Sequence, residues 1–160
     1  MVNAAVEFDF ASHWSAELPV YYSAWNYFTY GLKFRTLDIR PEIRYWLSPC
    51  NKGFFVGAHF GLAWYDFAFK GDYRYQDHNR NTPALGGGIT LGYRMPISAN
   101  RRWHIEFGLS GGIYRLDYDK FINVPNGRLV GREQKTYYGL DGASVSIAYS
   151  FGLKKKGGNR

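Results

Sequence analysis

Four histidines, thirteen carboxylates and a single cysteine are the side chains that could carry acid–base, nucleophilic or metal chemistry in this chain. The nearest to a working pair is His104-Ile-Glu106. On a strand, residues two apart share a face, so an imidazole could lie beside a carboxylate that orients it. His59 lies between glycines in Gly57-x-His59-x-Gly61, His78 follows Asp77 in a polar stretch, and His13 sits in a short link. Spacing brings no serine or cysteine beside any of them, so a Ser-His-carboxylate set does not emerge. One cysteine can form neither an internal disulfide nor a metal cluster, and Cys50 falls in the turn Ser48-Pro49-Cys50-Asn51-Lys52-Gly53. Gly86-Gly87-Gly88 lacks the Lys-Ser/Thr pair and following helix of a phosphate loop. No catalytic, metal or cofactor set is expected, and His104 and Glu106 are read as members of an interior polar network.

The elements that must position these residues are strands. Apolar residues alternate with polar or small ones along almost the whole chain. Val145, Ile147, Tyr149, Phe151 and Leu153 alternate with serines, Ala148 and Gly152. Trp103 to Ile113, Leu85 to Ile97, and Phe54 to Trp64 repeat the pattern. So do Leu37 to Leu47, Trp14 to Tyr22, and Val2 to Phe10, giving seven expected strands and no helix. The composition agrees: 19% aromatic residues beside 19 glycines suits strands and suits neither a helical bundle nor a disordered chain.

The links alternate in length. Short ones lie at residues 11–13, 48–53 and 96–101, and longer polar ones at 24–35, 70–82 and 117–135. Short turns at one end and long loops at the other are a feature of outer-membrane β-barrels, whose tilted strands cross with ~9–11 residues. The fold expected is all-β: an antiparallel up-and-down transmembrane β-barrel over residues 1–153, with a basic periplasmic tail at 154–160. Bacterial single-chain barrels have even strand numbers and periplasmic termini. The expectation is therefore eight strands in the full protein, seven of them read here, with one strand and a signal peptide ahead of Val2.

The polar face separates this reading from a soluble barrel. It is rich in Gly, Ala and Ser, and its charges mix signs: Glu7, Glu17, Asp38, Arg40, Glu42, Arg44, Arg94 and Glu106, joined by His59 and His104. Small residues and paired charges suit a narrow filled interior, with the apolar face turned to lipid. Arg40, Arg44, Arg94, Glu42 and Tyr65 pointing inward would leave no open pore. Two aromatic girdles are expected, Trp14, Tyr45 and Trp103 at the short-turn end and Trp25, Trp64 and Tyr118 at the long-loop end. Pro19 and Pro41 fall within strands, where local bulges are expected.

Net charge +7 raises nucleic acid as a partner, but the cations are dispersed, with one run at Lys154-Lys155-Lys156, and no nucleic-acid partner is expected. The ending Val145, Ile147, Tyr149, Phe151 resembles the C-terminal signal read by the outer-membrane insertion machinery. Glu42-Ile43-Arg44-Tyr45-Trp46, the run Gly86 to Tyr93, and Pro96-Ile97 resemble a family of small outer-membrane β-barrels of unknown function common in Bacteroidota, of OmpA/OmpX-like eight-strand architecture. The resemblance implies the fold and a bacterial outer-membrane location, and it brings no catalytic residues. The function expected is non-enzymatic, structural or accessory. Outer-membrane lipid would surround the barrel, and other envelope proteins or glycans would meet its Tyr- and Asn-rich loops. A lipid-modifying hydrolase and a soluble ligand-binding barrel are the alternatives.

Overall fold

A computed structural model describes residues 2–26, 31–49, 52–79 and 81–151, without the side chains of residues 25 and 26. Cys50, the tail at 154–160, the middle of the first long link and the Trp25 side chain lie outside the described residues. All regular structure among those described is antiparallel β-sheet: β1 (Val2–Ala11), β2 (Trp14–Asn26), β3 (Leu32–Ile39), β4 (Glu42–Trp46), β5 (Gly53–Phe69), β6 (Tyr73–Asp77), β7 (Ala84–Pro96), β8 (Trp103–Ile122) and β9 (Leu129–Tyr149).

Nine strands stand where seven are expected because two passes of the chain are each divided. β3 and β4 both pair with β2 on one side and β5 on the other. Pro41 separates them, since it has no N–H to give to the ladder. The expected bulges are absent at both prolines: the register is the same before and after the gap. Carbonyls carry the sheet across it, Pro19 accepting from Arg40 N–H at 3.1 Å and Pro41 from Phe60 N–H at 3.0 Å. β6 and β7 likewise share β5 and β8 as neighbours. Between them the chain makes a polar excursion pinned by the His78–Thr82 bridge and by His78 Nδ1, 2.8 Å from Asp119.

The long links are shorter than the sequence suggests. Much of the stretch from Asp117 to Lys135 is a continuation of β8 and β9, paired to the Phe121–Leu129 level, and the 70–82 link contains β6. Above the apolar belt both strand faces are polar, so alternation loses its contrast and reads as loop. Cross-strand polar contacts hold this hairpin: Tyr118 donates to Glu133 at 2.8 Å, and Arg132 donates twice to Asp117 at 3.0 and 2.9 Å.

β1 and β9 form the two edges of the sheet among the described residues. The sheet is strongly rolled nonetheless. Arg94 of β7 contacts Glu7 of β1 at 2.6 Å, and Arg40, just beyond β3, reaches Asp141 of β9 at 3.5 Å. Glycines permit this curvature: a Cβ on Gly92 would overlap the Phe55 ring, and one on Gly61 would overlap the Tyr114 hydroxyl.

Candidate functional site: a buried charge network inside an apolar wall

The concave face gathers the ionisable residues. Arg44 sits at the centre, with its guanidinium bonded to Glu42 at 2.5 Å, in contact with Glu17, and 3.3 and 3.6 Å from Glu106 and Glu7. Arg94 joins Glu7 and Glu106, its Nε donating to Glu106 at 2.6 Å. Charges at this depth are tolerable only when each has partners close by. Four carboxylates from β1, β2, β4 and β8 are thus held together by two guanidiniums.

Beside this cluster the sheet builds an aromatic plug. Trp46 and Phe55 are fully buried, with ring centroids 4.8 Å apart. The guanidinium of Arg94 lies 4.9 Å over Trp46 and that of Arg44 lies 4.4 Å over Phe55. Trp46 Nε1–H donates to Ser15 Oγ at 2.9 Å, and Ser15 donates to Glu7 at 2.6 Å. Phe55 escapes a sequence reading because it follows Phe54 in an apolar run; Gly92 opposite it, where a large residue could not fit, is the signal that could have found it.

A second cluster surrounds His59. Its Nε2 lies 2.9 Å from Asp141 Oδ2 and its Nδ1 3.1 Å from Thr90 Oγ1, while Thr90 donates to Glu42 at 2.5 Å. Asp141 also accepts from Ser110 at 2.5 Å, and Asp38 accepts from Arg40 at 2.7 Å. Spacing in the sequence does not place Asp141 on this face. It gets there because β9 carries a bulge: Ser110 pairs with Gly142 and Gly111 with Leu140, so Asp141 is the extra residue and turns inward. Ser110, His59 and Asp141 are the residue types of a nucleophilic triad, but the serine donates to the aspartate and not to the imidazole. Thr90, the hydroxyl beside the imidazole, donates its hydrogen bond to Glu42. The cluster is connected as a buried hydrogen-bond network.

His104 is buried, and its ring contact is Ser150, 3.4 Å from Nδ1, rather than the Arg–Glu cluster. A cavity of about 540 Å3 adjoins both clusters and is lined by Asn3 of β1, by Glu17, Arg40 and Asp141, and by residues 142–145 of β9. Asp38 Oδ1 and Arg40 Nε, next to it, are buried without a hydrogen-bond partner.

The convex face is apolar and open to the surroundings. Exposed large side chains come from every full pass of the chain, among them Phe8, Leu18, Ile43, Phe60, Leu91, Phe107 and Ile147. A continuous patch of this kind far exceeds what a soluble monomer normally shows. Its stretches, from Leu37 to Leu47, Phe54 to Trp64, and Trp103 to Ile113, end at charged residues: Arg35, Asp66 and Arg115 continue the same face. At the short-turn end Trp14 and Tyr45 pack edge to face at 5.0 Å, and Trp103 and Tyr149 do likewise at 5.0 Å, with Phe151 4.7 Å further on. Trp64 lies at the other margin, paired with Leu37. Tyr118 does not. Two strand positions beyond Leu116 and four beyond Tyr114, it turns to the concave side and packs on Tyr75 at 5.6 Å. Its place in the alternation is read correctly only once β8 is known to continue past Asp117.

The model of a family described as a protein of unknown function (DUF3575) matches residues 1–151, and the chain belongs to that family. No curated protein and no solved structure matches it.

Proposed function

We propose that this family member is a small β-barrel of the bacterial outer membrane, with a structural or accessory role and no open pore. The observation that carries the reading is the inversion of the two faces: charges and hydrogen-bonding groups lie inside, and a belt of exposed apolar side chains lies outside. A soluble sheet would bury the belt and hydrate the charges. In a bilayer the outer face meets acyl chains, and the Arg44 and Arg94 clusters fill the interior.

Strand direction supports an eight-strand count. β1 and β9 both run from the long-link end to the short-turn end, so pairing them directly would be parallel. One further strand, antiparallel to both, would satisfy their open edges and complete an even-numbered barrel. Its inward side chains would enter the 540 Å3 cavity near the unpartnered Asp38 and Arg40 atoms. The role follows from what remains: with the interior filled, contact with envelope proteins falls to the loops and outer wall.

Fractionation of cells expressing the full-length protein tests location, and electrophoresis with and without boiling tests for a detergent-resistant barrel. Outer-membrane enrichment with a heat-dependent mobility shift is expected. Recovery of folded protein in detergent-free soluble fractions would overturn the reading. Pull-down from native membranes tests the accessory role, which loses its basis if no envelope protein is retained.

A further inference from the structure

At the long-link end the concave face opens into a second cavity, of about 490 Å3, walled by aromatic rings. Tyr65, Phe67, Tyr75 and Tyr118 form a continuous series, with successive ring centroids 5.5, 6.0 and 5.6 Å apart. Tyr137 of β9 closes the other side. Two of the hydroxyls are committed, Tyr118 donating to Glu133 at 2.8 Å and Tyr137 to the Leu140 carbonyl at 2.6 Å, while those of Tyr65 and Tyr114 are buried without a partner and away from solvent. The surface presented to the cavity is therefore mainly carbon. Its volume is that of a small-molecule site.

The charged residues that line it, Arg35 and Lys135, are both basic. Lys135, two residues from Tyr137 on the same face of β9 and paired with Leu116, lines the cavity, is exposed, and has no ion pair among the described residues. The neighbouring ions of the hairpin neutralise one another, Arg132 with Asp117 and Lys120 with Glu133. A cationic ligand would meet Lys135, and a ligand covered in hydroxyls would find few partners on the walls. We infer that this cavity binds an aromatic carboxylate, its flat ring between the tyrosine and phenylalanine faces and its anion on Lys135.

The inference does not depend on the membrane reading, because it rests on the cavity alone. The test is titration of the purified full chain with 2-naphthoate, its neutral analogue 2-naphthylmethanol, and decanoate, in a detergent without a sugar or charged headgroup and against detergent blanks. Saturable binding of 2-naphthoate is expected. Lys135→Gln, at an exposed position, should weaken it about fivefold and leave the neutral analogue unchanged. Phe67→Leu should weaken both aromatic probes, and Tyr65→Phe neither. Absence of saturable binding, insensitivity to Lys135→Gln, or tighter binding of decanoate than of 2-naphthoate would each overturn the assignment.

Discussion

Glu7 and Arg94 lie 2.6 Å apart although their strands, β1 and β7, are separated in the sheet by β2, β4 and β5. Only a sheet rolled on itself brings them together. The contact also shows how the interior is organised: basic residues at its centre bind carboxylates arriving from several strands, so each guanidinium ties distant passes of the chain to one another.

Arg44 is the most consequential of these ties. Replacing it with Met, of similar length, would leave Glu7, Glu17, Glu42 and Glu106 facing one another with Arg94 as the main remaining counter-charge. Removing one member of a buried ionic cluster costs ~3–5 kcal/mol, far more than the same change at an exposed site. Urea titration of the folded protein in detergent should show that loss for Arg44→Met and almost none for the exposed turn residue Arg101→Met. A loss under about 1 kcal/mol for Arg44→Met would mean that the cluster is not the interior tie described.

Glycine placement gives a second, purely steric test. A Cβ on Gly88 would overlap the Gly111 carbonyl oxygen and approach Gly112 Cα, both backbone atoms that cannot swing aside, whereas one on Gly131 meets nothing within 4 Å. Gly88→Ala should therefore destabilise by ~1–3 kcal/mol through forced separation of β7 and β8. Gly131→Ala should be close to neutral. Equal midpoints for the two variants in the same unfolding titration would show that β7 and β8 do not approach as closely as they do here.

The alternation in the sequence carries most of the face assignments, from Phe8 to Ile147, because one face is nearly all large and apolar and the other small or charged. It fails where that contrast or the strict period is lost. Asp141 goes unread because a one-residue bulge in β9 leaves no local sign in its neighbours. Tyr118 is misread because, above the apolar belt, Asp117, Asp119 and Lys120 make both faces of β8 polar. The interior plug is only half legible: Trp46 stands in the alternating polar set, but Phe55 is hidden in the Phe54–Val56 run. Which charges pair with which depends on how tightly the sheet rolls, and that is a property of β1 to β9 together.

Acid should loosen the hairpin above the belt in a defined direction. Two hydrogen bonds from the Arg132 guanidinium, with a third from Gln134 at 3.1 Å, hold the Asp117 carboxyl below its ordinary value of 3.8. A depressed carboxylate contributes stability that is fully present above the unfolded value and disappears as pH falls through the folded one. The contribution is therefore intact above 3.8 and lost below it. Carbon-detected NMR of the Asp117 carboxyl should place its midpoint under 3.8, with Arg132→Gln returning it toward that value. A midpoint at or above 3.8 in the unsubstituted protein would show that the Arg132 bonds do not persist in solution.

Leu91 offers the sharpest distinction between a lipid-facing and a water-facing wall. It lies midway along β7, paired with Val56 on one side and Leu109 on the other, and it is 60% exposed. If its surroundings were water, Leu91→Arg would fall among ordinary surface substitutions, within about 0.5 kcal/mol of neutral. Facing the middle of a bilayer, the same guanidinium costs ~2–4 kcal/mol. Leu129→Arg, at the far end of β9 beyond Arg115 and Asp117, is the internal control and should be nearly neutral in either setting. Refolding into phospholipid vesicles, measured against urea, should show the penalty at Leu91 and not at Leu129. Matching vesicle stabilities for both variants would remove the apolar wall as grounds for placing this protein in a membrane.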